Sequence, residues 1–127
     1  MSAEPHLILI VEDSDHCAAT LEIAFDAYPG FAVQVTGTAE EAIRLLDNSK
    51  IEAVITDLHL PTMDGLEFVS MLRQDRRFAK LPVVVISGDT NPQTPNRARS
   101  AGASAFFSKP YSPGAVRQKL EELIDGR

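Results

Sequence analysis

The sequence predicts an α/β fold, a doubly wound sheet of five parallel strands with five helices. Five short apolar runs, Leu7–Val11, Phe31–Val35, 53–56, Val83–Ile86 and 105–107, are each followed by a stretch with helical spacing. Three of the runs are almost unbroken in apolar character, as strands covered by helices on both faces must be. Such an alternation of strand and helix closes into a parallel sheet with right-handed crossovers. At 127 residues the chain is sized for one domain spanning residues 1–127.

The first run is short and apolar, and Glu12-Asp13-Ser14 after it begin a helix whose inner stripe is Leu21, Phe25 and Tyr28. Pro29-Gly30 breaks the chain before Phe31–Val35, which alternates and therefore suits an edge strand. Thr38 and Glu41 have capping-box spacing before a helix with Ala42, Leu45 and Leu46 inward. Asp64 caps the next helix, with its stripe of Leu66, Val69 and Leu72. After Val83–Ile86 the chain reads Asp89-Thr-Asn-Pro-Gln-Thr-Pro95. A proline inside a helix costs roughly 3 kcal/mol, so the fourth helix is expected to start late, near Pro95, and to be short and mobile. The fifth carries Val116, Leu120, Leu123 and Ile124 on one face.

The net charge of −6 works against a broad basic surface for nucleic acid, and no direct nucleic-acid partner is expected. Cys17 is the single cysteine, so no internal disulfide forms, and a small apolar role in a helix is its expected one. No run is long enough to span a bilayer, and the start lacks a signal-peptide pattern, which together give a cytoplasmic expectation without membrane insertion. His6 and His16 are expected to be solvated.

In an open α/β sheet the ligand site lies beyond the carboxyl ends of the strands. Just past those ends stand Glu12-Asp13, Asp57, Ser87-Gly88 and Ser108-Lys109-Pro110. Taken singly, each has an ordinary reading: Glu12-Asp13 as acids in a first helical turn, Asp57 as a turn residue, Ser87 as a strand-end hydroxyl, Lys109 as a solvated charge. Together they put three acids, a hydroxyl and an ammonium on one rim. Two unit charges about 4 Å apart interact by about 4 kcal/mol at an effective dielectric of about 20, so clustered acids raise their pKa values or hold a cation. Hard oxygen donors with no histidine or thiolate cluster favour Mg²⁺.

The stretch Asp57-Leu-His-Leu-Pro-Thr-Met-Asp-Gly65 resembles the phosphoacceptor segment of the receiver domains of bacterial two-component response regulators. Val11-Glu-Asp-Ser14 is similar to their acidic loop, and Gly102-Ala-Ser-Ala-Phe-Phe-Ser-Lys-Pro110 to their last strand and its lysine. The resemblance covers nearly the whole chain with the motifs in the family's order. It implies a flavodoxin-like sheet of order 2-1-3-4-5. Asp57 would be phosphorylated by the phosphohistidine of a sensor histidine kinase or phosphotransfer protein. Asp13, Asp57 and the main-chain carbonyl of His59 would bind Mg²⁺, with Glu12 on metal-bound water. Lys109 and Ser87 would contact the phosphoryl oxygens, and Ser87 and Phe106 would form the switch read by a downstream protein effector or effector domain.

The ordinary reading of Phe106 is core packing. The resemblance also implies a cis peptide at Pro110, whereas X-Pro bonds by themselves favour trans. His59 and Asp89 flank the approach of water to an acyl phosphate. The prolines at 92 and 95 depart from the family's usual fourth helix and put the transfer of its partner geometry in question. A phosphatase of the haloacid-dehalogenase type is the rival enzyme, but Asp57-Leu58-His59 lacks its second aspartate. A flavin carrier would need a phosphate loop where Glu12-Asp13 stand.

Overall fold

A computed structural model describes residues 5–126. Strands β1 (His6–Val11), β2 (Phe31–Thr36), β3 (Ala53–Asp57), β4 (Val83–Ser87) and β5 (Ala105–Ser108) form one parallel sheet of order β2-β1-β3-β4-β5. The helices between and after them are α1 (Asp15–Asp26), α2 (Ala39–Asn48), α3 (Gly65–Gln74), α4 (Thr94–Ala101) and α5 (Pro113–Asp125). The predicted class, strand number and edge position of Phe31–Thr36 are those observed.

Strand alternation sorts the core into two layers. Ile8, Ile10, Ala53, Ile55, Val84 and Ile86 face α1 and α5, through Leu21, Phe25, Val116 and Leu120. Leu9, Val11, Val54, Val83 and Val85 face α2, α3 and α4, through Ala42, Phe68, Val69, Leu72 and Ala98. The larger aliphatic side chains are buried there, and each contributes about 1.5–3 kcal/mol relative to exposure.

Both predicted caps form, although the box at Thr38 is half made, since the Glu41 carboxylate pairs with Arg44 and not with the Thr38 amide. Thr38 accepts from the Glu41 amide at 3.1 Å and Asp64 from the Leu66 amide at 2.7 Å. Before α4 the chain runs through side-chain turns, in which Asp89 accepts from the Asn91 amide and Asn91 from the Gln93 amide. The helix then begins at Thr94 with Pro95 in its first turn, where the missing N–H is harmless. It ends at Gly102, whose φ of 116° only glycine adopts easily. Arg73 from α3 donates to the Gly102 carbonyl at 2.8 Å and ties the two helices together.

Three expectations are corrected. Tyr28 does not lie on the α1 stripe, because the helix ends at Asp26; its ring is partly exposed and stacked under the Arg117 guanidinium, 3.6 Å away. His6 is not simply solvated, because the β1–β3 pairing brings Glu52 beside it, with Nδ1 2.9 Å from Oε2. The connection from α3 to β4 holds an unforeseen 3-10 turn, Arg76–Phe78, capped by Asp75.

Candidate functional site at the carboxyl rim of the sheet

Parallel pairing sets the ends of β1, β3, β4 and β5 side by side, so the residues that follow them share one rim. Glu12 extends β1 by donating its amide to the Thr36 carbonyl, and its Oε1 accepts from the Ser14 amide at 3.1 Å. Asp57 is the last residue of β3, opposite Ile86 of β4. The two carboxylates are almost wholly buried, at 4% and 5% exposure.

Lys109 joins them. Its amide donates to the Ser87 carbonyl at 2.8 Å, which fixes its backbone at the end of β4. Its Nζ donates to Asp57 Oδ2 at 2.7 Å and lies 3.5 Å from Glu12 Oε2. The other Asp57 oxygen, Oδ1, accepts from the His59 amide at 3.0 Å. The Lys109–Pro110 peptide is cis.

Burial works to raise the pKa of Asp57, but the hydrogen bonds from Lys109 and the His59 amide outweigh it and hold the carboxyl below its ordinary value. Glu12 has the opposite fate. Burial first, then the adjacent Asp57, push it up to about 7 from 4.5. Lys109 is held above its ordinary value because, against burial, both carboxylates favour its charged form. The rim therefore carries one firmly ionised carboxylate, one that titrates near neutrality, and an ammonium between them.

These shifts give a pH prediction. A carboxyl raised in the folded state favours folding fully below its unfolded pKa, and that stability is lost as pH rises through the folded value. The Asp57 contribution has the reverse sign and changes only in more acid solution. Between pH 5 and 8, in a buffer with chelator and no divalent ion, the protein is expected to lose up to about 3 kcal/mol, since each pKa unit is worth about 1.4 kcal/mol. Urea midpoints across that range would check it, and Glu12→Gln should flatten the profile.

Asp13 is exposed at the lip beside Glu12. Among the described residues no three His, Cys, Asp or Glu side chains are gathered into a ready cage for a metal. Mg²⁺ does not require one. It keeps several of its waters and is held by one or two carboxylates, so two close buried acids with a third at the lip suit it and do not suit zinc. Ser87 is fully buried and its hydroxyl accepts from the Asp89 amide at 3.0 Å. His59 sends its ring outward, with Nε2 3.6 Å from Asp89 Oδ2, so only its main chain attends Asp57. Phe106 lies on β5, half-buried against the core layer of α2, α3 and α4.

The sequence profile of the response regulator receiver domain matches residues 8–121. The chain belongs to that family. It is 30% identical over 122 residues to the response regulator Rre1 of Synechocystis, covering 96% of this chain and 53% of that protein. It is 28% identical to the chemotaxis protein CheY1 of Helicobacter pylori, covering 92% of this chain and 95% of that one. The receiver domain of a sensor histidine kinase from Pseudomonas aeruginosa, whose crystal structure has a magnesium ion in its active site cleft, superposes with a TM-score of 0.85 at 20% identity, covering 95% of this chain and 98% of that one. This receiver domain thus spans about half of one curated relative and nearly all of another. Among its described residues no helix is long and apolar enough to cross a membrane.

Two features of the receiver domain's site were not foreseen from sequence. Gly65 opens α3 directly against the end of β3: a Cβ there would lie 2.4 Å from the Asp57 carbonyl oxygen and 2.6 Å from the Leu58 Cα. Thr62, in the loop between them, has a φ of 64°, a conformation that costs a β-branched residue on the order of 1–3 kcal/mol. The Asp64-Gly65 pair that closes the segment after Asp57 was the available signal for the first. No local signal marked the second.

Proposed function

We propose that the chain is a phosphoacceptor switch of a two-component or phosphorelay system, with Asp57 as the acceptor. The observation that carries this is the Asp57 carboxylate, buried and ionised at the rim, with the Lys109 ammonium at 2.7 Å. An Asp57 oxygen attacks the phosphorus of a phosphohistidine on a sensor histidine kinase or phosphotransfer protein. The P–O bond forms, the P–N bond breaks, the electron pair leaves with the imidazole, and an acyl phosphate results. Such transfers depend on positioning and charge neutralisation. Lys109 supplies a fixed positive charge that can follow the incoming phosphoryl oxygens. The His59 amide orients the attacking carboxylate.

Mg²⁺, held by Asp13, Asp57 and the His59 carbonyl with Glu12 on a bound water, would neutralise the remaining charge between nucleophile and phosphoryl group. The magnesium in the cleft of the Pseudomonas receiver domain and the oxygen-only donor set here support this assignment. Turnover of other substrates is not part of the role: the chain is a regulatory domain that catalyses only its own phosphorylation and dephosphorylation.

Phosphorylation brings about −1.5 to −2 units of charge and three acceptor oxygens. The Ser87 hydroxyl, now engaged with Asp89, then turns to one of them and draws the loop after β4 inward. Phe106 follows, through packing alone since it has no hydroxyl, and the surface of α4, β5 and α5 changes for a protein partner to read. Moving a ratio from 1:99 to 99:1 takes about 5.5 kcal/mol, which two or three charge-assisted hydrogen bonds of about 1.5–3 kcal/mol each supply. His59 and Asp89, facing one another at the mouth, set how readily water reaches the acyl phosphate.

The test is intact-mass measurement after incubation with acetyl phosphate and Mg²⁺. The parent should gain one phosphoryl group and Asp57→Ala none; a gain of equal size in both proteins would end the assignment.

A further inference from the structure

The loop from Leu58 to Asp64 is closed at its base and strained at its tip. At the base the Gly65 amide donates to the Leu58 carbonyl at 2.8 Å, and the His59 amide holds Asp57. At the tip the Met63 amide donates to the Pro61 carbonyl at 2.7 Å, across a single intervening residue, Thr62. A hydrogen bond of that span with a positive central φ is a γ-turn of the rare, strained kind. Glycine or asparagine is the usual occupant of such a position. A threonine stays there only where its surroundings hold it.

What holds it comes from α2. The Thr62 hydroxyl donates to Glu40 Oε2 at 2.7 Å, the only side-chain hydrogen bond among the described residues that joins the segment from Leu60 to Met63 to another element. Glu40 stands in the first turn of α2, beside the cap at Thr38, where the helix end favours its ionised form. The bond from Thr62 first, and then that from its own backbone amide, hold its carboxyl below the ordinary value.

We infer that Glu40 is a positioning residue for the phosphorylation reaction: through Thr62 it holds the acceptor loop in its strained turn and so sets where the His59 main chain meets the Asp57 carboxylate. Without the tether, Thr62 relaxes to negative φ and the loop re-forms between two fixed ends. The short segment leading back to His59 absorbs the change. The inference rests on the reading of Asp57 as phosphoacceptor.

Three readouts test it: the rate of phosphorylation by acetyl phosphate, amide hydrogen exchange at His59 and Met63 by NMR, and the urea midpoint as a check on folding. Glu40→Ala and Thr62→Val should each slow phosphorylation about tenfold, within the roughly hundredfold that a displacement of about 1 Å can cause. Both should speed exchange at His59. Glu40→Gln, which still accepts the hydroxyl proton, should stay near the parent. Thr62→Gly removes the strain that the tether opposes, so Glu40→Ala in the T62G background should add no further loss. Parent-like rates and His59 exchange in both single variants would overturn the inference, as would an equal loss from Glu40→Ala in the T62G background. A parent protein that takes no phosphoryl group on Asp57 would instead remove the reading of the site, and the exchange data would still report on the tether.

Discussion

Replacing Lys109 by methionine is expected to slow phosphorylation of Asp57 by acetyl phosphate about 10²- to 10³-fold, the loss seen when one fixed charge-stabilising donor is removed from a reacting centre. The reason lies in the geometry of its two contacts. Nζ sits 2.7 Å from the Asp57 carboxylate and 3.5 Å from that of Glu12, and no other side chain among those described offers a cation to either acid. Lys109→Arg keeps the charge but replaces a point donor by a planar fork, and partial recovery at best is expected.

The same substitution should cost less in stability than in rate. Stripping one partner from a fully buried ion pair costs about 3–5 kcal/mol, but the Lys109 side chain is 26% exposed and Glu12 can relieve the site by taking a proton. A loss of about 1 kcal/mol near pH 6 is therefore expected, growing above the Glu12 pKa of about 7, where both acids carry charge with no ammonium between them. Urea melts at pH 6 and pH 8.5, paired with acetyl phosphate kinetics, separate the two effects. Equal losses of rate and stability would make Lys109 a structural residue.

How far the molecule could be read from its residues follows from where each signal is stored. Unbroken apolar runs such as Val83–Ile86 carry their own burial, and the rule that chemistry collects at strand ends pointed to Glu12, Asp57 and Lys109. The late start of α4 was legible because Pro92 and Pro95 act locally. Tyr28 was misread because its spacing continues the stripe of Leu21 and Phe25, while the helix stops two residues earlier and Arg117 from α5 captures the ring. Phe68 escaped the α3 stripe although it is fully buried, since Leu66, Val69 and Leu72 already account for a helical period. The strained turn at Thr62 was illegible for a deeper reason. Local propensity argues against it, and the hydrogen bond that permits it comes from Glu40, 22 residues away.

Gly65→Ala carries the largest expected effect on the fold of the site. Its added Cβ would meet the Asp57 carbonyl oxygen at 2.4 Å, the Leu58 Cα at 2.6 Å and the Leu58 carbonyl oxygen at 3.0 Å. All three are backbone atoms, so no rotamer change relieves the contact. Either α3 or the end of β3 must move. The end of β3 is hydrogen-bonded within the centre of the sheet and buried along its whole length, which leaves α3 and the loop before it to yield. Overpacking of this kind typically costs about 1–3 kcal/mol, and the upper end is expected here because the Gly65 amide bond to the Leu58 carbonyl is strained with it. Alanine is otherwise the better helix former, by at most about 1 kcal/mol, the figure for a helix interior, so propensity alone would make the variant more stable. The sign of the measured change therefore decides between the two. A lower urea midpoint with slower phosphorylation is expected, because the displaced loop carries the His59 amide away from Asp57. A midpoint equal to or above the parent's would show that the close approach of α3 to Asp57 and Leu58 is not what requires glycine at this position.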